Sequence, residues 1–103
     1  MSGLPPVDRF TPTQIIKAAV LTCTSTSASG GVTRCVSPRL NGLEIRFGGG
    51  DAETICNAIV GNTNFAIGTG TAATAPYFIW NGSSWALASN TGFNRIDDIA
   101  CFS

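Results

Sequence analysis

Apolar and polar positions alternate most clearly at Leu43-Glu44-Ile45-Arg46-Phe47. Successive side chains of a strand point to opposite faces, so this segment predicts a half-buried strand with Leu43, Ile45 and Phe47 inward. Gly48-Gly49-Gly50 then reads as a turn that stops it. The run Pro76 to Ala88 has Asn81-Gly82 between two aromatic and aliphatic stretches. It predicts a β-hairpin closed by a two-residue type I′ turn, whose central residues need positive φ. With that turn, Phe78, Trp80 and Trp85 share one face.

Other segments carry weaker patterns. Thr11-Pro12-Thr13-Gln14 has the order of a helix start, with Thr11 as N-cap and Pro12 in the first turn. Ile15, Ile16, Ala19 and Val20 would then share a helical face, and a strand from Gln14 to Thr24 is the competing reading. Thr24 to Gly31 reads as a polar loop, and Val32–Val36 as a short strand ending before Pro38. Asp51 to Val60 predicts a short helix with Asp51 as N-cap, Gly61 beyond its end, and Ile55, Cys56 and Ile59 inward. Asn64 to Gly68 is a strand, Thr69 to Ala75 a small-residue linker, and Ile96 to Phe102 a closing strand or a helical turn. Asn62-Thr63-Asn64-Phe65 and Asn90-Thr91-Gly92-Phe93 resemble each other and read as turns entering strands.

These elements predict a mainly β fold. We expect a small single-domain β-sandwich or barrel-like module over 11–103, with at most two short helices. Residues 1–10 form an extended N-terminal arm, because Pro5-Pro6 resists both helix and sheet interior. The length of 103 residues suits one domain with a modest core.

Composition narrows the function classes. Six basic residues balance six acidic ones. Nucleic-acid binding rests on clustered Lys and Arg, so no nucleic-acid partner is expected. The same neutrality argues against an anionic membrane surface, and no apolar run reaches membrane-spanning length. The N-terminus lacks a basic stretch followed by an apolar core, so no standard signal peptide is expected.

Four cysteines stand at 23, 35, 56 and 101. They allow two disulfides in three connectivities, or four reduced buried thiols. We favour Cys23–Cys35, closing the Ser/Thr/Gly loop between them, and Cys56–Cys101, tying down the C-terminus. Zinc is not expected, since there is no CxxC spacing and no His.

The absence of His also removes Ser-His and Cys-His nucleophilic schemes. Asp97 and Asp98 are adjacent, so on a strand they face opposite ways and make no convergent dyad. Asp51 and Glu53 after three glycines supply too few oxygens for a calcium loop and read as helix capping and solvation. The glycines lack the Lys-Ser/Thr of a phosphate loop. No catalytic residue, cofactor or metal ligand is assigned. Asn81-Gly82-Ser83 matches the N-glycosylation pattern, a match that arises often by chance.

Tyr77, Phe78, Trp80 and Trp85 could build a core, an interface or a sugar-stacking platform. A lone hairpin is marginal in water, so one of its faces must be buried. Leu4, Val7 and Phe10 of the arm would each contribute about 1.5–3 kcal/mol if fully buried against a neighbour.

The Pro-rich arm, the low charge, the Gly/Ala/Thr/Ser-rich linkers and Tyr-Phe-Ile-Trp-Asn-Gly-Ser-Ser-Trp at 77–85 together resemble small accessory proteins of tailed-phage virions. That resemblance implies a non-enzymatic capsid-decoration or tail/fibre accessory subunit in the virion. Its partners would be copies of itself and other virion structural proteins, and a surface glycan is possible. The interface residues would be Leu4, Val7, Phe10, Tyr77, Phe78, Trp80 and Trp85. Four cysteines are unusual for decoration proteins and suggest disulfide reinforcement after release from a reducing cell. The rival readings are a small extracellular carbohydrate-binding β-domain and a subunit of an extracellular filament.

Overall fold

A computed structural model describes residues 13–16 and 19–103 of the chain. The arm expected at 1–10, with Leu4, Val7 and Phe10, lies outside the described residues.

The described residues are mainly β with one short helix. Strands β1 (Thr13–Ile16) and β2 (Ala19–Thr22) form an antiparallel pair, Ile16 opposite Ala19. The helix expected across this stretch is not formed. Its β-branched residues Thr13, Ile15, Ile16, Val20 and Thr22 suit paired strands, and pairing overrides the capping signal.

The next feature is a long bent ribbon. β3 (Ser25–Ser29) pairs with β4 (Val32–Val36), and beyond the bend β2 pairs with β5 (Arg39–Leu40). The expected loop at 24–31 is therefore mostly strand. Gly30 and Gly31 make the tight turn, at φ 60° and 79°. At the bend, Cys23–Thr24 and Ser37–Pro38 carry the two arms of the ribbon from one sheet into the other. The Cys23–Cys35 disulfide fastens that corner.

Leu40 and Leu43 bridge across Asn41-Gly42, whose φ values of 51° and 82° belong to a type I′ turn. Asn41 Oδ1 accepts the backbone N–H of Val20 at 2.9 Å, anchoring this turn to β2.

Leu43–Phe47 is not a full strand. It makes isolated bridges, Ile45 to Phe78 and Arg46 to Arg95, and so links two sheets. Ile45 is buried as expected, but Phe47 is 42% exposed. Helix α1 (Gly49–Val60) follows at once, with Gly48 as N-cap and Gly61 in the left-handed region after its end. The glycines thus open the helix instead of forming a separate turn. Asp51 sits inside the first turn and is buried, not at the cap. Ile55, Cys56 and Ile59 face inward, as the periodicity predicts.

β6 (Phe65–Ala72) runs past the expected end at Gly68, through most of the supposed linker. β7 (Tyr77–Trp80) and β8 (Trp85–Ala88) form the aromatic hairpin. β9 (Asn94–Phe102) is the closing strand, longer than expected. It lies inside a four-stranded sheet of order β3-β4-β9-β6, beside a sheet β1-β2-β5 and the pair β7-β8. Among the described residues β3 and β6 remain separate edges, so the sheet does not close into a barrel. The element lying against β9 is α1, joined to it by the Cys56–Cys101 disulfide. The core gathers there, with Leu21, Leu40, Ile45, Ile55, Ile96 and Ile99 fully buried.

Candidate functional site

The aromatic hairpin differs from its expected geometry in one respect. Trp80 pairs directly with Trp85, so the connection is a four-residue loop, Asn81–Ser84. Asn81 stabilises it locally. Its Oδ1 accepts the backbone N–H groups of Ser83 and Ser84 at 3.0 and 2.9 Å, and the Ser83 hydroxyl at 3.2 Å. An Asx-type loop has replaced the two-residue turn. Lengthening the loop by two moves the register without changing the face, because strand side chains alternate with period two. Phe78, Trp80 and Trp85 therefore still share a face, now joined by Leu87.

That face divides in two. Phe78 and Trp85 are half-buried and packed against the core. Trp80 is half-buried beside them, its ring 5.2 Å from that of Trp85 and tilted by 69°. Such edge-to-face pairs add stability beyond area burial. Leu87, opposite Phe78, is 57% exposed. Tyr77 is 1% exposed, and its hydroxyl donates to the Asn90 carbonyl at 2.9 Å. The chain itself covers Tyr77, so this residue takes no part in an outer surface, contrary to its place among the expected interface residues.

The hairpin is held to the body by backbone. Phe78 N–H donates to Glu44 O at 2.8 Å, and Arg46 N–H donates to Phe78 O at 3.0 Å. On the other flank of the same segment, Ile96 N–H donates to Ile45 O and Phe47 N–H to Asn94 O. Residues 44–47 thus splice the hairpin to β9.

Their side chains are also engaged. Glu44 Oε2 accepts from Arg95 Nη1 at 2.7 Å, and its Oε1 accepts Thr74 N–H at 2.6 Å. Arg95 Nε donates to Asp97 Oδ1 at 3.0 Å. Hydrogen bonding to Asp97 and then Glu44 raises the Arg95 pKa. The Arg95 hydrogen bond lowers that of Asp97, helped by the Thr71 hydroxyl and opposed by desolvation. Asp98 faces the other way, pairing with Arg34 at 3.1 Å and accepting Thr69 N–H at 3.0 Å. As strand geometry dictates, the neighbouring carboxylates do not converge. Among the described residues, no cluster of Cys, Asp and Glu is placed to hold a metal ion.

Two surface features fall outside the expected residues. One is the edge of β3, Ser25-Thr26-Ser27-Ala28-Ser29, with no charge and no proline. Among the described residues, β4 is its sole partner strand. Small hydroxyl residues give no hydrophobic alternation, so the sequence pattern hid this strand. The other is a set of exposed large apolar side chains, Val20, Phe47, Phe93 and Phe102 besides Leu87.

The chain was compared with family models, curated proteins and solved structures, and none of the three yields a match.

Proposed function

We propose that the protein is a non-enzymatic structural subunit of a virion, a capsid-decoration or tail/fibre accessory protein that works by protein–protein assembly. The observation that carries this reading is the edge of β3, which among the described residues pairs with β4 alone. An uncharged, proline-free edge strand presents a row of backbone donors and acceptors to any neighbouring strand, and monomeric proteins usually block such edges. Here nothing in the strand's own side chains opposes pairing. The neutral surface adds no long-range repulsion between copies.

The disulfides support a setting outside a reducing cytosol, as on a particle released from its host. Among the described residues, no helix is long and apolar enough to cross a membrane. In this reading the arm at 1–10 reaches a neighbouring subunit through Leu4, Val7 and Phe10, and the exposed apolar side chains of the body widen the contact.

Sedimentation velocity across a concentration series tests the proposal, with the intact chain and with Ser25→Lys/Ser29→Lys. Both serines are exposed and lie opposite Val36 and Val32, so the lysines oppose no cation across the ladder. The intact chain should self-associate and the variant should remain monomeric with unchanged melting temperature. An intact chain that stays monomeric at every concentration, and binds no capsid or tail preparation, would discard the assembly reading.

A further inference from the structure

Trp80 forms one wall of a cleft of about 300 Å³ whose other walls are Gly50, Glu53, Thr54, Asn57 and Thr63. Four of these lie on one face of α1, at spacings of three and four residues that stack along a helix. Glu53 and Asn57 are exposed one turn apart, and Thr63 is exposed beyond the helix end. Gly50 leaves the first turn low, since even an added Cβ there would only reach van der Waals distance of the indole, 4.0 Å from Cδ1.

Trp80 is anchored through its main chain and its ring. The Trp80 backbone N–H donates to the buried Asp51 carboxylate, and its ring forms a T-shaped pair with that of Trp85. Trp80 therefore gives the cleft an aromatic wall on an anchored main chain, with its ring packed on a neighbour. An anchored wall of this kind raises affinity by lowering the ordering cost.

We propose that this cleft is a binding site for a neutral saccharide of one or two pyranose units. The chemistry of the walls selects that class. A pyranose presents a face of C–H groups, which stacks on an aromatic ring, and a rim of hydroxyls, which needs mixed donors and acceptors. Glu53 supplies a carboxylate acceptor, Asn57 an amide with both donor and acceptor, and Thr63 a hydroxyl. Thr54 is already a donor to Gly50 O at 2.9 Å, so its oxygen is turned to accepting. No wall residue is cationic, and Glu53 repels a second carboxylate, so uronic and sialic acids are disfavoured. The volume lies at the small end of ligand clefts, too small for a folded partner. The site shares no residue with the β3 edge that carries the assembly reading.

The test is a ¹H–¹⁵N NMR titration of the full chain. The probes are glucose, lactose, maltose and chitobiose, with glucuronic acid and sialyllactose as charged counterparts. At least one neutral sugar should shift the Trp80 indole N–H saturably. Asn57→Ala places a better helix former on an exposed position, so it should leave the melting temperature unchanged or raised. It should weaken that sugar about tenfold, as the loss of hydrogen bonds to one side chain implies. Trp80→Phe should weaken it less than Trp80→Ala. The proposal is overturned if no neutral sugar moves the Trp80 indole resonance. It is equally overturned if Asn57→Ala binds as the parent does, or if a charged sugar binds more tightly than every neutral one. Sedimentation of the same samples reads assembly separately, so failure of the cleft and failure of the assembly reading are distinguishable.

Discussion

Asp51 accepts the backbone N–H of Trp80 at 2.5 Å, from a position 29 residues earlier in the chain. Its other oxygen accepts from Arg46 Nε at 2.9 Å, and its side chain is 0% exposed. One carboxylate thus fastens the splice segment, the first turn of α1 and the end of β7. A buried charge is costly unless paired and hydrogen-bonded. Here the guanidinium pairs it, the backbone N–H bonds it, and the free N–H groups of the first helical turn favour its sign. Gly48 makes the arrangement possible, because a Cβ there would collide with the Asp51 carboxylate and stand 3.3 Å from Arg46 Nε.

Asp51→Ala should accordingly be among the most destabilising single changes in this chain. It strands the Arg46 guanidinium and the Trp80 N–H together, which should cost about 3–5 kcal/mol in urea unfolding. Asp51→Asn retains an oxygen for Trp80 while losing the ion pair, so its loss should be smaller. Equal losses for the two variants would show that the ion pair, not the backbone contact, carries the stability.

Gly70 tolerates no side chain for a different reason. A Cβ at this position in β6 would stand 2.7 Å from Phe47 Cε2 and 3.0 Å from Arg95 O. The Phe47 ring lies over the strand only because Gly70 leaves room. Gly70→Ala should destabilise by about 1–3 kcal/mol, the usual range for overpacking. In a Phe47→Ala background the penalty should shrink without vanishing, since the Arg95 carbonyl remains. A double-mutant cycle reads the coupling directly, and additive losses would mean that the two positions do not interact.

How far such contacts were legible in the sequence depends on their range. The strand at Val32–Val36 and the inward face of α1 followed from period and flanking signals, whereas Ile96 to Phe102 left a closing strand and a helical turn both open. The type I′ turn was legible in kind but not in place. Asn81-Gly82 offered it, yet Asn41-Gly42 adopts it, because the Leu40–Leu43 pair closes around two residues while Asn81 finds better partners in Ser83 and Ser84. β3 was invisible because Ser, Thr and Ala carry no hydrophobic alternation. The sequence around Thr11 signalled a helix start, but strand pairing of Ile15 with Val20 outweighed it. At the candidate site, the shared face of Trp80 and Trp85 could be read from parity alone. The partnership of Trp80 with Asp51 could not, since the acceptor meets a backbone group that every residue but proline possesses.

The disulfides should differ in what they contribute. Cys56–Cys101 closes a span of 45 residues and Cys23–Cys35 one of 12. In the chain-entropy account the longer loop restricts the unfolded chain more, giving about 4 kcal/mol against about 3 kcal/mol. Replacing Cys56 and Cys101 by Ala should therefore lower the melting temperature further than replacing Cys23 and Cys35. It should also loosen α1 from β9, seen as faster amide exchange over residues 49–60. The reverse order would show that the corner held by Cys23–Cys35 matters more than loop length.

The pH dependence has a sign that follows from the Arg95–Asp97 pair. The Asp97 carboxyl is held below its usual range, first by the Arg95 hydrogen bond and then by the Thr71 hydroxyl, against an opposing desolvation. A carboxyl whose folded pKa is depressed binds its proton more readily in the unfolded chain. Its contribution is therefore complete above the unfolded pKa and disappears as pH falls through the folded one. Arg95 is shifted upward by the same pairing and stays protonated through this window. Both side chains are partly exposed, at 31% and 25%, so solvent and salt moderate the effect. Asp97→Asn should leave a chain whose melting temperature falls less steeply from neutral pH to strongly acid pH than that of the parent, and added salt should narrow the difference between them. If the variant and the parent lose stability in parallel over that window, the pair contributes nothing to acid stability.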